Sequence, residues 1–328
     1  MKRLLSLLLA LVLLLCGCGK PQTRGAVTLW CASDDPLLPA IRAAAEDYGY
    51  PVALREFADG EALLNALNTA RPDLLLCSHT LAFRLAGKGL LAISASAVRY
   101  PDALAGRDES IGRSVFPIGS RVQLLLRRDA EAPTDFLSLC AWASAQKRPC
   151  FAADSYADLI CQAMLGAGEF HADREKDCFS PAFQTAWNAL AECAFSGSLY
   201  TGEAASGTLD AQLVYSDRLS GGVPAGFTLA APAASPRLAD LRCLALMRPA
   251  RGASAFVSWL FAENRTAQLA LQSGLIPALP GGEASDAFSA LLLSLREEPL
   301  WLADGESDYV KNRAAFEVSF REAMDLLK

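Results

Sequence analysis

The chain has 328 residues, of which 52% are hydrophobic and 20% charged, and its formal net charge is −6. That apolar content can bury a full core and excludes an intrinsically disordered chain. The acidic balance, with no block of Lys or Arg, argues against nucleic acid as a partner and against adhesion to anionic lipid head groups.

The first element is a leader. Lys2 and Arg3 precede an apolar run from Leu4 to Leu15, broken only by Ser6, and Cys16-Gly17-Cys18 follows. A basic start, a short apolar stretch and a small residue before a cleavage point form the layout of a secretory signal. The run falls short of the roughly 20 residues that a spanning helix needs, so a permanent anchor helix is not expected. Residues 1–17 are read as signal peptide and 18–25 as a tether. What remains is too long for one typical core and fits two lobes.

A β-α rhythm follows. Val27-Thr28-Leu29-Trp30 reads as a buried strand, and Asp35-Pro36 as the start of a helix, with Asp as cap and Pro at its first position. Ile41, Ala45 and Tyr48 step by four and three along it. Pro51 to Phe57 is a second strand, and Asp59 caps a second helix carrying Leu63, Ala66 and Leu67. Pro72 to Cys77 is a third, largely apolar strand that ends at Ser78-His79, and a helix to Gly87 follows. This alternation predicts a doubly wound α/β lobe. Residues 94–115 are mixed.

The units then recur. A strand covers Val122 to Leu126, and a helix from Thr134 places Phe136, Leu139, Cys140 and Ala143 on one face. A strand near Cys150 to Ala153 runs into a helix capped by Ser155, with Asp158 three residues on as a capping-box variant. Ser180-Pro181 opens another helix, with Phe183, Trp187, Leu190 and Ala194 in step. Gln212 to Tyr215 and Leu241 to Met247 are strands. Helices cover about 253–262 and 264–273, the second closed by Gly274. A last helix from near Ser307 turns Phe316, Phe320, Met324 and Leu327 inward.

Apart from Cys16 and Cys18, the cysteines lie at positions 31, 77, 140, 150, 161, 178, 193 and 243, with no C-x-x-C and no zinc spacing. A chain this large folds without disulfides even when exported. Cys140, Cys161 and Cys193 sit in apolar periodic segments, where a thiol acts as a small hydrophobe. Mostly free, buried thiols are expected, and a disulfide among some of them stays open.

Four pieces carry a family resemblance. Leu15-Cys16-Gly17-Cys18 resembles the bacterial lipobox, whose last residue is acylated. Val27 to Trp30 followed by helix, strand, Asp59-Gly60, helix and Arg71-Pro72-Asp73-Leu74-Leu75 is the second, and Ala86-Gly87-Lys88-Gly89-Leu90 is the third. The fourth runs from Ala253 to Ala262 and Asn264 to Ser273, ending on Gly274-Leu275-Ile276-Pro277. In this order and spacing the chain resembles the family 1 extracellular solute-binding proteins of bacterial ABC importers.

The resemblance implies a two-lobed, hinge-connected α/β fold of the periplasmic-binding-protein type, with the ligand cleft between the lobes. Lobe one would hold 26–116 and 242–280, and lobe two 117–241 and 281–328. It implies a small-molecule solute, a sugar or a related compound, and an ABC permease as partner. Cys18 would carry the acyl chains that hold the protein at the extracellular face of the membrane. A monomer without cofactor or metal is expected.

Ligand contacts are expected where strands end and helices begin, because outward N–H groups there bind acceptor oxygens. Asp34 and Asp35 follow the first strand, with Asp35 read as a cap first and Asp34 as a contact. Ser78 and His79 follow the third strand. Ser120 and Arg121 lie at the crossing between lobes. Asp154, Ser155 and Tyr156 sit at a strand–helix junction, where the Tyr156 ring could stack on a sugar face. Tyr215 and Ser216 close the next strand. Many sugar binders of the resembled family carry a Trp a few residues after that strand, whereas here the stretch reads Ser216-Asp217-Arg218-Leu219-Ser220, so aromatic stacking is thin, and Arg121 with Arg218 would suit an acidic or phosphorylated solute.

The competing readings are a sensor lipoprotein on the same fold and an exported enzyme. For the enzyme the sequence offers no G-x-S-x-G, no H-E-x-x-H and no Gly-rich phosphate loop. Neighbouring side chains such as Ser78 and His79 point apart at a strand end. No catalytic residues are therefore assigned.

Overall fold

A computed structural model describes residues 26–95, 97–128, 131–200, 209–233, 236–303 and 308–326. The leader, Cys18, the tether and Leu327 lie outside the described residues. In chain order the elements are β1 (Val27–Ala32), α1 (Leu38–Asp47), β2 (Val52–Phe57), α2 (Gly60–Leu67), β3 (Leu74–Ser78), α3 (His79–Gly87), α4 (Asp102–Ala105), β4 (Val115–Arg121) and β5 (Gln123–Arg127). Then come α5 (Phe136–Gln146), β6 (Phe151–Ala153), α6 (Tyr156–Gly166), α7 (Arg174–Cys178), α8 (Pro181–Phe195), β7 (Ala211–Tyr215), a 3-10 turn (Ser216–Leu219), β8 (Thr228–Ala230) and β9 (Arg237–Leu246). The chain closes with α9 (Arg251–Leu260), α10 (Arg265–Gln272), β10 (Ile276–Pro277), α11 (Ala287–Leu295), β11 (Leu300–Leu302) and α12 (Asp308–Leu326).

Short-range chemistry starts several of these helices. Asp59 accepts the Ala62 N–H, Ser155 the Asp158 N–H and Ser180 the Phe183 N–H. Each satisfies one of the amide donors that a helix start leaves open.

The strands form two sheets. The larger runs β10-β4-β9-β3-β1-β2, with β11 beside β9, and the smaller runs β6-β7-β5-β8. β1 pairs parallel with β2 and β3, whereas β9 runs antiparallel to both β3 and β4. β3 reads as a continuous apolar run because helices cover both of its faces. Leu74 and Leu76 pack with Ile41 of α1 and Phe256 of α9. Leu75 and Cys77 pack with Leu63 of α2 and Leu85 of α3. The smaller sheet buries its β6 and β7 residues under α5, α6, α8 and α12, with Tyr156, Leu190 and Phe320 at the centre. A further cluster joins the sheets through Val122 and Leu124, Ala239 of β9, Ile276 of β10 and Leu292 of α11.

Only Val122 separates β4 in the larger sheet from β5 in the smaller one. β9 brings the chain back to the larger sheet. Both β4 and β9 run whole in that sheet, so lobe boundaries at 116/117 and 241/242 cut through strands that the structure keeps intact.

Three expectations differ from the structure. The first helix begins at Leu38 rather than at Pro36, because Asp35 accepts the Leu37 N–H in a turn that precedes it. β4 is not among the strands expected from the sequence, because Pro117 and Gly119 are poor strand residues. A Cβ at Gly119 would lie 2.9 Å from the Ala270 and Leu275 side chains, so the glycine is there for close approach. β9 starts at Arg237, well before Leu241, because Arg237, Leu238 and Ala239 pair with Leu300, Trp301 and Leu302 of β11.

Gly274 has φ +70°, and a Cβ there would meet the Ser216 carbonyl oxygen at 2.4 Å. It closes α10 and presses on the 3-10 turn after β7. Gly274→Ala is expected to cost at least ~1–2 kcal/mol from the left-handed backbone alone. A thermal melt should show a Tm several degrees lower, and an unchanged Tm would mean that this contact is not held.

Candidate functional site

The two sheets meet around a cavity of about 880 Å³. The larger sheet contributes the end of β3 (Ser78), the first residues of α3 (His79, Thr80), Arg121 of β4, and Asp240 and Arg242 of β9. The smaller sheet contributes Gln123 of β5 and Leu213 and Tyr215 of β7. The N-terminal turn of α5 adds Phe136, Leu137 and Leu139. One stripe of α6 adds Asp158, Leu159, Gln162, Ala163, Gly166 and Ala167, a spacing that places them on a single helix face. Arg313 of α12 completes that wall. Charged groups thus lie on both sides, and the α6 wall sets Leu159, Ala163, Gly166 and Ala167 beside Asp158, Gln162 and Arg313.

A chain of ion pairs starts on the larger-sheet side. Arg242 Nη1 lies 3.4 Å from Asp35 Oδ2, and its Nη2 lies 3.3 Å from Asp240 Oδ2. Arg121 Nε approaches the same Asp240 oxygen at 3.0 Å, and its Nη1 comes within 3.8 Å of Asp217 Oδ2. The Arg121 Nε–H is not aimed along this contact, so it is a charge contact rather than a directed hydrogen bond. The chain leads from the turn after β1 to the 3-10 turn after β7, across the junction of the sheets.

Its two aspartates shift in opposite directions. Burial opposes the Asp240 charge, but Arg242, then the His79 ring 3.5 Å away, then Arg121 outweigh it and hold the carboxyl well below the usual carboxylate range. Burial raises Asp35, and the single cation Arg242 with the Leu37 N–H only partly offsets that rise. Asp240 faces two guanidiniums and the His79 ring, whereas Asp35 faces one guanidinium and the charges of Asp240 and Asp34.

A second cluster involves Arg313 and Asp158. Arg313 donates to Asp158 through Nε and Nη2, both at 2.6 Å, a bidentate pair. The Tyr215 hydroxyl hydrogen-bonds to Asp158 and meets Arg313. Burial, then the Asp158 charge, pushes that phenol well above its ordinary value. The Arg121 guanidinium lies over the Tyr215 ring, 4.4 Å from its centroid, and links the two clusters. Arg237 is held by Glu298 at 2.7 and 3.1 Å. Each arginine on the cavity wall therefore already meets a carboxylate.

Gln162 ties the α6 wall to the start of β9, and His79 ties α3 to the same strand. The Leu241 N–H donates to His79 Nδ1 at 3.1 Å, so Nε2 carries the proton and donates to the Ala303 carbonyl at 3.1 Å. Gln162 Oε1 accepts the Leu238 N–H at 2.6 Å while its Nε2 donates to the Pro236 carbonyl at 2.7 Å. The amide thus serves the start of β9 as a neighbouring strand would.

Of the residues expected to touch a ligand, Ser78, His79, Arg121 and Tyr215 lie on the cavity wall. The others do not. Asp34 is exposed outside it. Ser120 is buried in β4 opposite Leu241 and Ile276. Asp154 accepts the Tyr215 N–H at 2.7 Å and pairs with Arg218 at 3.2 Å. Ser155 is buried as the cap of α6. Tyr156, expected to stack on a solute, is instead fully buried: its hydroxyl donates to the Tyr200 carbonyl at 2.6 Å and its ring packs on Phe320. Ser216 is buried and its Oγ accepts the Val122 N–H at 3.3 Å. Arg218 does not line the cavity and Arg121 is shared by two aspartates, so the pair does not form a site for an anion.

Sequence reasoning missed Gln123, Asp158, Gln162, Asp240, Arg242 and Arg313. The alternation Arg237, Asp240, Arg242 inside an apolar strand was the usable signal, since charges in a buried strand need partners. Asp158 was taken for a capping partner, and its pairing with Arg313, far along the chain, has no local mark. Among the described residues no group of three or more His, Cys, Asp or Glu could hold a metal ion, and no helix is long and apolar enough to cross a membrane.

Removing the shared carboxylate should be costly. Asp240→Asn leaves Arg121 and Arg242 with one partner fewer and is expected to lose about 2–4 kcal/mol at pH 7. The folded pKa of Asp240 lies below its unfolded value of about 4, so its contribution is complete above that pH and is lost as pH falls through the depressed value. The gap in stability between wild type and Asp240→Asn should therefore close only in strong acid. Urea titrations from pH 7 to pH 2 read it, and a gap that is absent at pH 7 would contradict this geometry.

No protein-family model matches the chain, and no curated protein matches it in sequence. Solved structures do. The cyclic α-maltosyl-1,6-maltose binding protein of Arthrobacter globiformis matches with a TM-score of 0.64 at 16% identity, over 92% of this chain and 94% of that one. An ABC substrate-binding protein from Listeria monocytogenes in complex with cycloalternan gives 0.68 at 12%, over 92% and 94%. The spermidine/putrescine substrate-binding protein PotD of Streptococcus pneumoniae gives 0.65 at 11%, over 91% and 99%. Identities this low speak to architecture alone: the chain has the two-lobed α/β fold found in the substrate-binding proteins of ABC importers.

Proposed function

We propose that this chain is a solute-binding protein that captures a small molecule between its lobes and delivers it to an ABC permease. The observation that carries this reading is the cavity of about 880 Å³ walled from both sheets at the point where β4 passes into β5. A cavity of this size accommodates a ligand of a few hundred daltons. A short crossing between two packed sheets is a place where hinge closure can act.

The solute is a neutral polar compound with an apolar face, a sugar or a related molecule. A charged solute would have to displace one of the ion pairs that hold Arg121, Arg237, Arg242 and Arg313, and breaking a buried pair is expensive. Hydroxyls of Ser78 and Thr80 and the hydrophobic stripe of α6 remain for a neutral molecule. Two of the structural neighbours above were crystallised as binders of cyclic oligosaccharides, which accords with that choice. The chain is read as a binder and not a catalyst. His79 has both ring nitrogens engaged by backbone groups, and the Ser78 hydroxyl shares a hydrogen bond with Thr80 at 2.9 Å. These groups form no nucleophile–base pair. The leader and the lipobox-like Leu15-Cys16-Gly17-Cys18 support a protein held at the extracellular face of the membrane by acyl chains on Cys18.

Two experiments test this reading. In a thermal-shift panel of neutral oligosaccharides, sugar phosphates and polyamines, a neutral sugar should raise Tm, since a ligand at 100 times its Kd adds about 2.7 kcal/mol. A shift produced only by anions or polyamines would reject the neutral solute, and no shift in a broad panel would reject capture. For the anchor, Cys18→Ala should move the protein from the membrane fraction to the medium; a variant that stays with the membrane would oppose lipidation at Cys18.

A further inference from the structure

Beneath the cavity floor, two buried thiols face each other. In the antiparallel pairing of β3 with β9, Ser78 lies opposite Arg242 on the cavity side, and one step further in Cys77 lies directly opposite Cys243. Directly opposed residues of an antiparallel pair have Cα atoms about 4.5–5.5 Å apart and side chains on the same face. Disulfides bridge Cα separations of about 4.4–6.8 Å. Both thiols enter one cluster, together with Ala82 and Leu85 of α3 and Leu241. Both cysteines are free in this structure.

We propose that Cys77 and Cys243 are a disulfide-forming pair that closes as the chain folds in the presence of a small-molecule disulfide such as oxidised glutathione. One cysteine loses its proton, and its thiolate attacks oxidised glutathione, forming a mixed disulfide and releasing one glutathione thiolate. The second cysteine, also deprotonated, attacks the protein sulfur of that mixed disulfide and releases the other glutathione. Two electrons pass from the protein sulfurs to glutathione, and the two protons end on the two glutathione thiols. Closure belongs to folding and not to the finished protein. Once both sulfurs are packed, burial raises the two thiols far above their ordinary range and leaves little thiolate to react.

The bond would tie together the two strands that hold Ser78, Asp240 and Arg242. It would also close a long loop of chain, the case in which a cross-link restricts the unfolded state most. The rival pair is Cys140 with Cys193, where the Cys193 thiol donates to the Cys140 carbonyl at 3.2 Å and accepts from Ser144 at 3.4 Å. That thiol already has partners within the helix packing, the Cys140 thiol among them. The Cys77–Cys243 inference is independent of what the cavity binds.

The test is refolding of the full chain from denaturant in a mixture of oxidised and reduced glutathione. Free thiols are then blocked with N-ethylmaleimide, and the protein is digested without reduction and analysed by mass spectrometry. The expected result is a cross-linked peptide pair containing Cys77 and Cys243, with Tm several degrees above that of the same protein refolded in reductant. Cys243→Ala should abolish both the cross-link and the Tm difference. The reduced wild-type protein reports folding without any substitution, so a misfolded variant does not blur the result. Maleimide on both Cys77 and Cys243 after oxidative refolding, or a Cys140–Cys193 link alone, would overturn the proposal.

Discussion

One carboxylate held between two guanidiniums organises the centre of this molecule. Asp240 projects from β9 where that strand enters the larger sheet, and it is shared by Arg242 on its own strand and Arg121 at the end of β4. Through Arg242 the charge reaches Asp35 after β1, and through Arg121 it reaches Asp217 after β7. Four separate stretches of chain thus meet on alternating, partly buried charges at the cavity wall. The geometry has to be met as a whole, since any one charge left without partners there would cost several kcal/mol.

This arrangement also shapes what the cavity can recognise. An arginine free in a cleft invites a carboxylate or a phosphate, because its planar fork matches their oxygens. Here the forks are occupied: Arg313 by Asp158, Arg237 by Glu298, Arg242 and Arg121 by the aspartates of the central chain. The Tyr215 ring, which could have served as a stacking platform, is covered by Arg121. The cavity keeps its hydroxyls and its aliphatic stripe, and its charges are spent on holding the two sides in register.

The sequence was most informative where interactions are local. Asp59, Ser155 and Ser180 announce helix starts within three residues, and each caps as read. In the β-α alternation up to Ser78, β1 and β3 are buried and show as apolar runs, while β2 at the sheet edge is half exposed. β4 was hidden because Pro117 and Gly119 are poor strand residues, while the structure uses the glycine to let α10 and β10 approach. The start of β9 was hidden because Arg237 and Asp240 interrupt its apolar pattern, and their partners Glu298 and Arg121 lie far away in the chain. The site shows the same division. Ser78, His79, Arg121 and Tyr215 stand at strand ends and could be named. Asp240, Arg242, Asp158 and Arg313 acquire their roles only from partners in other elements. Tyr156 misled because a tyrosine at a strand–helix junction points inward as easily as outward, and in this chain Phe320 of α12 covers it.

The most direct measurement is a crystal structure of the protein with the solute selected by the thermal-shift panel. The account predicts the solute in the cavity between the sheets, touching residues from both, with the Arg121–Asp240 and Arg242–Asp35 contacts unbroken. A solute bound elsewhere, or one whose anionic group has drawn Arg121 or Arg242 away from its aspartate, would contradict it.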